Sequence, residues 1–90
     1  MVIATGIKMQ SGCESSMSCE EIDQIYLTGY ERFLSKSVIY DLVKDYPNTI
    51  KVKDNYGPYV VPALSRNLEK YVRSAPNDTI YDNLLMLPRF

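Results

Sequence analysis

Residues 35–46 carry Val38, Ile39, Leu42, Val43 and Tyr46, which recur at i, i+1, i+4, i+5 and i+8. That spacing draws one apolar stripe along a helix of 3.6 residues per turn. Ser35 or Ser37 can cap its N-terminus, and Pro47 stops it, because proline has no N–H to continue the ladder. A helix with one apolar face must bury it against another element. The segments that flank this one are mostly strands, so the helix is expected to pack on a sheet.

The strand signals come from period-two alternation and from turn residues. In residues 2–9, Ile3, Thr5, Ile7 and Met9 share a face. Residues 10–18, Gln10 to Ser18, are small, polar and aperiodic, and read as a solvated hairpin connection or a mobile flap. Residues 20–27 place Ile22, Gln24 and Tyr26 on one face and Asp23, Ile25 and Leu27 on the other, and Thr28-Gly29 ends the strand. Residues 49–54 turn Ile50 and Val52 inward and Lys51 and Lys53 outward. Asp54-Asn55-Tyr56-Gly57-Pro58 is a turn signal. Residues 59–64 are apolar on both faces, with Pro62 marking an edge or bulge. A turn at Arg66-Asn67 leads into 68–74, where Glu69, Tyr71 and Arg73 oppose Leu68, Lys70 and Val72. Pro76-Asn77-Asp78-Thr79 is a second turn, and 82–87 fits one helical turn before Pro88. The order ββαβββ plus a short C-terminal turn predicts an α+β fold: a small antiparallel sheet with one amphipathic helix packed on it.

Ninety residues form one domain, 1–90. A domain of this size buries only roughly 60–65% of its unfolded surface, so self-association is a natural way to add burial. Ten basic residues against 11 acidic, net −1, argue against duplex nucleic acid as a partner, because phosphate neutralisation needs clustered Lys and Arg. The longest apolar runs, such as Leu84-Leu85-Met86-Leu87, fall far short of the ~20 residues of a membrane span. Residues 1–6 lack the pattern of a signal peptide, so the expectation is a cytosolic protein without a membrane partner.

The chain has no histidine. That removes the commonest general base and the usual partner of a Ser or Cys nucleophile. Cys13 and Cys19 stand six residues apart in a Ser-rich stretch. Free thiols are the first reading there, a disulfide the second and a zinc site the third, since two thiolates leave a tetrahedral shell unfilled. Glu20, Glu21 and Asp23 read as a solvated acidic edge that discourages strand pairing with other chains. Asp41 and Asp45, near Lys44, read as helix surface. No glycine-rich phosphate loop exists. The expectation is therefore a protein that is not an enzyme, with no cofactor and no metal.

Eight tyrosines, with two Phe and no Trp, supply most of the aromatic surface. Tyr46, on the helical stripe, is expected in the core. Tyr56 and Tyr59 flank a turn, and Tyr71 shares a strand face with Arg73. An aromatic ring beside Arg can stack a planar ring and hold an anion. A packed structural pair is the alternative.

Residues 71–90 also carry a motif. Tyr71-Val72-Arg73-Ser74 followed by Asp82-Asn83-Leu84-Leu85-Met86-Leu87-Pro88 resembles the C-terminus of a family of small bacterial domains of unknown function. Those domains end in a Tyr-Ile-Arg-Thr strand, a Pro-Asp-Gly-Thr turn and an Asp-Asn-Leu-Leu-x-Leu-Pro tail. Here Asn77-Asp78-Thr79 replaces Asp-Gly-Thr, and the Cys-containing loop replaces a His-containing segment after the first strand. The resemblance implies a fold rather than an activity. Physically, Asp82 can cap the turn that follows it, Leu84, Leu85 and Leu87 can close one end of the sheet, and Arg73 can pair with Asp78 or Asp82. Against that clamp stands a ligand-binding role for Tyr56, Tyr59, Tyr71, Arg73, Asp82 and Asn83. The leading functional expectation is a non-catalytic homo-oligomer that binds a nucleotide-like small molecule, sequestering a signal in a phage or prophage setting. A protein-interaction module and a weak single-stranded nucleic-acid binder are the alternatives.

Overall fold

Strand β1 (Val2–Met9) is hydrogen-bonded along both of its edges. The computed structural model describes residues 2–75 and 82–90. The remaining elements are β2 (Ile22–Leu27), β3 (Arg32–Ser35), α1 (Lys36–Asp45), β4 (Ile50–Val52), β5 (Val60–Leu64) and β6 (Lys70–Ser74). Short 3-10 turns lie at Cys19–Glu21 and Asn83–Met86. A four-stranded sheet runs β3-β2-β1-β4, and β5 pairs with β6 in a second sheet. This is the α+β class with one helix that the periodicity predicts. No helix among the described residues is long and apolar enough to cross a membrane. The turn expected at Pro76–Thr79 lies outside the described residues.

Two features of the sheet go beyond the expectation. First, β3 is an additional strand, paired antiparallel to β2 with Tyr26 opposite Phe33 and Ile25 opposite Leu34. Its last residue, Ser35, has extended backbone angles (φ −66°, ψ 153°), and its hydroxyl accepts from the Val38 N–H as the cap of α1. Strand and helix therefore meet with no loop residue between them, and no turn signal marks the junction. Second, β4 runs parallel to β1, with Val2, Ile3 and Ala4 opposite Ile50, Lys51 and Val52. The sheet is thus mixed rather than wholly antiparallel, and the two sheets touch where Lys51 bridges Tyr59.

Two bulges correct the face assignments. The β1–β2 register slips between Ala4 and Gly6 and again between Lys8 and Met9. One extra residue on a strand reverses the phase of every side chain beyond it. Thr5 is the extra residue of β1, so Ala4 and Ile7 both face inward and are fully buried. Asp23 is the extra residue of β2, so Ile22 leaves the face of Gln24 and Tyr26 and joins Ile25 and Leu27 in the core.

The core lies between the four-stranded sheet and a second layer made by α1, the β5–β6 hairpin and the tail. Ile39, Tyr40 and Val43 of α1 meet Ala4, Ile7, Ile25, Leu27, Val60, Val72 and Leu84 in one cluster. The helical stripe is rotated from the one the sequence suggests. Val38 is exposed, and Tyr46, expected in the core, is 66% exposed, whereas Tyr40 is only 7% exposed. The reason is local. Tyr46 is the C-cap, with φ −129° and ψ 77°, so its side chain leaves the helical progression. Tyr40 gains a closed apolar site with the ammonium groups of Lys70 and Lys44 at 5.4 and 5.8 Å from its ring. Lys70 also pairs with Asp41 at 2.9 Å, tying β6 to α1.

These burial differences lead to a direct comparison. Truncating a buried aromatic typically costs about 3–5 kcal/mol, and an exposed one usually less than about 0.5 kcal/mol. Tyr40→Ala is expected to lower the urea midpoint sharply, while Tyr46→Ala leaves it nearly unchanged. Equal effects would contradict the rotated stripe.

Candidate functional site

The tail is tied to the rest of the fold through Asp82. Its carboxylate accepts from the Ser74 N–H at 3.0 Å and from the Leu84 N–H at 2.9 Å, capping the 3-10 turn and ending β6 together. The Ser74 hydroxyl accepts from the Asn83 N–H at 3.2 Å, so the two ends are cross-linked. Leu84, Leu85 and Leu87 are buried behind this junction. The chain then returns to β1: Ile7 donates to the Pro88 carbonyl and accepts from the Phe90 N–H, each at 2.9 Å. The Asp82 carboxylate, and the backbone and hydroxyl groups around Asn83, thus serve the clamp. The ion pair expected from Arg73 to Asp82 is not formed; Asp78, the other partner considered, lies outside the described residues. Among the described residues the ion pair is Lys70–Asp41.

The loop between β1 and β2 is organised around one carboxylate and one guanidinium. Glu21 accepts from the Cys13 thiol at 2.8 Å and from the Ser16 hydroxyl. Those bonds hold the Glu21 carboxyl below its usual range. Arg89 reaches across to the carbonyls of Glu14 at 2.7 Å and Leu85 at 3.3 Å. Both cysteines are free. Cys13 is raised above the ordinary thiol value by its bond to Glu21. Cys19 is pushed up to about 12 by burial first, then by the charge of Asp82 and a hydrogen bond to it, with Arg73 opposing. Both shifts run against the thiolate, the form a nucleophile requires.

The predicted tyrosine and arginine positions fall into two groups. Tyr56 stands alone at the β4–β5 turn, 96% exposed, where its N–H donates to the Asp54 side chain at 2.8 Å. Tyr59, Tyr71 and Arg73 are brought together. Val60 pairs with Ser74 and Val61 with Arg73, so Tyr59, Tyr71 and Arg73 lie on the face of the β5–β6 hairpin opposite the buried Val60 and Val72. The Lys51 ammonium lies 5.0 Å from the Tyr59 ring.

The outer face of the four-stranded sheet holds a cluster the sequence reading does not select. Tyr26 and Phe33, cross-strand partners, meet edge-to-face with centroids 5.3 Å apart, and Phe33 meets Phe90 in the same way at 5.7 Å. The Lys8 ammonium sits 4.4 Å above Phe33. Gly6 makes this possible, because a Cβ there would overlap the Phe90 ring. Phe90 is 72% exposed. The one sequence signal for this cluster is that Tyr26 lies out of phase with Ile25 and Leu27. Phe33 and Phe90 reach the face only through β3 and the returning tail.

A separate cleft of about 190 Å3 is lined by Val2, Tyr30, Leu42, Tyr46, Thr49 and Ile50. Ligand pockets usually measure about 300–1,000 Å3, so this cleft is too small for a nucleotide. No family model, curated protein or solved structure matches the chain.

Two outcomes check this geometry. Asp82→Ala removes a cap and leaves the Ser74 N–H without its partner, which costs about 1–3 kcal/mol; Arg73→Ala, at an exposed site, is expected to change stability by less than about 0.5 kcal/mol. Chemical denaturation of both variants tests the clamp. Cys19 adds a pH dependence. Its folded value, about 12, lies above the ordinary 9.0. The stabilisation is fully present below 9.0 and is lost as the pH rises towards 12, because the unfolded chain gives up the proton first. Stability should therefore fall more steeply above pH 9 in the unsubstituted protein than in Cys19→Ala; parallel curves would refute the assignment.

Proposed function

We propose that the protein is a non-catalytic binder of base-bearing anionic ligands, held on the outer face of its sheets. One observation carries this reading: Lys8 sits above Phe33 within the Tyr26–Phe33–Phe90 cluster, on an outer face where Phe90 is 72% exposed. Aromatic rings give a base a flat partner, and stacking contributes about 1–3 kcal/mol per base. A nearby ammonium supplies the phosphate contact. The Lys51–Tyr59 pair repeats the chemistry where the two sheets meet, and Tyr71 and Arg73 lie beyond it on the outward side of the hairpin. The absence of histidine and the raised thiol values favour binding over turnover. The Asp82 and Asn83 positions, considered for ligand contact from the sequence, support the face indirectly by closing the tail.

Tyrosine fluorescence offers a direct test, because the chain has no tryptophan. Titration with nucleoside monophosphates, dinucleotides and short single strands is expected to give saturable quenching. Phe33→Ala should weaken it by at least fivefold without lowering the melting temperature to the assay range. No saturable change with any of the three classes, or binding indifferent to Phe33→Ala, would overturn the proposal.

A further inference from the structure

The same surface carries a second pairing of cation and ring, and its spacing bears on the size of the ligand. Lys51 of β4 stands opposite Ile3, five residues before Lys8 on β1, and one of the intervening residues is the bulged Thr5. Strand geometry then separates the backbone positions of Lys8 and Lys51 by about 13 Å along β1 and about 5 Å across it. Each lysine has an aromatic partner: Lys8 lies over Phe33 and Lys51 lies 5.0 Å from Tyr59. Ile50, Val52 and Val60 point into the core, so Lys51 and Tyr59 face outward together where the two sheets meet. The face therefore has two stations, each a ring with a cation over it, 4.4 and 5.0 Å from the ring centre.

The charge distribution points the same way. The chain as a whole is net −1. The outward positions paired in register on the four-stranded sheet nevertheless carry Lys8 and Lys51 and no carboxylate: Lys8 is opposite Gln24, Gln24 opposite Ser35 and Ile3 opposite Lys51. Asp23, the bulged residue beside Gln24, is the exposed acid that borders this face. A basic aromatic face on a nearly neutral chain suits a polyanion that presents bases, and suits an acidic protein segment less well because that would leave the rings without planar partners.

We infer that the ligand is a run of single-stranded nucleic acid that crosses the face from the Phe33–Lys8 station to the Lys51–Tyr59 station. This rests on the base-binding reading above. A stacked strand advances about 3.4 Å per nucleotide, so a separation of about 14 Å corresponds to about four nucleotides. One nucleotide occupies one station and leaves the other empty. Duplex DNA offers no unstacked base to either ring. Two lysine–phosphate contacts also predict a modest salt dependence, since each neutralised phosphate of a single strand contributes about 0.7 to the slope of log affinity against log salt.

The experiment compares thymidine monophosphate with an eight-nucleotide oligothymidylate, using the full chain and tyrosine quenching. The octamer is expected to bind at least tenfold more tightly. Lys51→Ala should cut octamer affinity several-fold and lower the salt slope, while the monophosphate, still held at the Phe33–Lys8 station, loses no more than about twofold. Lys51 also donates to the Asn55 carbonyl at 2.8 Å, so Lys51→Arg, which keeps the charge and the stacking, serves as the second variant and should restore octamer binding. Equal affinity for the two probes would overturn the two-station inference and leave the base-binding reading standing. An equal loss for both probes in Lys51→Ala would overturn it as well. Binding of neither probe would remove the reading on which it rests.

Discussion

Ile7 spends its backbone on the tail. It stands opposite Ile25 in the β1–β2 ladder, but its own N–H and carbonyl go to Pro88 and Phe90. The first half of that same edge is taken by β4, which runs parallel to β1. A central strand with a free half-edge would leave polar groups exposed beside the core and offer a template to other chains. The C-terminal residues remove that exposure by acting as a short extra strand. Asp82 makes the return possible, because one carboxylate ends β6 and starts the 3-10 turn that redirects the chain. The buried Leu84, Leu85 and Leu87 hold the turn against the core.

The outer face depends on this closure. Phe90 can lie over Gly6 only because Arg89 and Phe90 are aligned along β1, and Arg89 at the same time anchors the loop between β1 and β2. Core and face are thus built by opposite sides of the same strands. Ile25 and Leu34 point inward while Tyr26 and Phe33 point outward, one residue apart on each strand. Fold stability and the aromatic surface can be perturbed separately, since the inward side chains set the first and the outward ones the second.

Much of the fold is legible in the sequence, and the gaps have physical causes. The helix, the strand signals and the Asp82 cap follow from local rules: capping, proline and alternation act over a few residues. Strand β3 is hidden because Ser35 finishes it and caps α1 at once. The bulges at Thr5 and Asp23 are hidden because a bulge is a mismatch between two strands, and neither strand shows it alone. Tyr46 misleads because a C-cap departs from helical geometry at the residue where the apolar period predicts burial. Of the residues chosen for binding, Tyr59, Tyr71 and Arg73 do share a face, since i, i+2 spacing on one strand guarantees part of that grouping. Phe33 and Phe90 escape notice because 56 positions of chain separate them.

By itself, the sequence determined the class of fold, the helix and its stop and the carboxylate cap. These depend on residue type and on neighbours a few positions away. Tertiary structure alone decided that β4 runs parallel to β1, which tyrosine fills the core and which rings gather on the outer face. Those outcomes depend on register and on the return of the tail, and both are set by hydrogen bonds between segments distant in the chain.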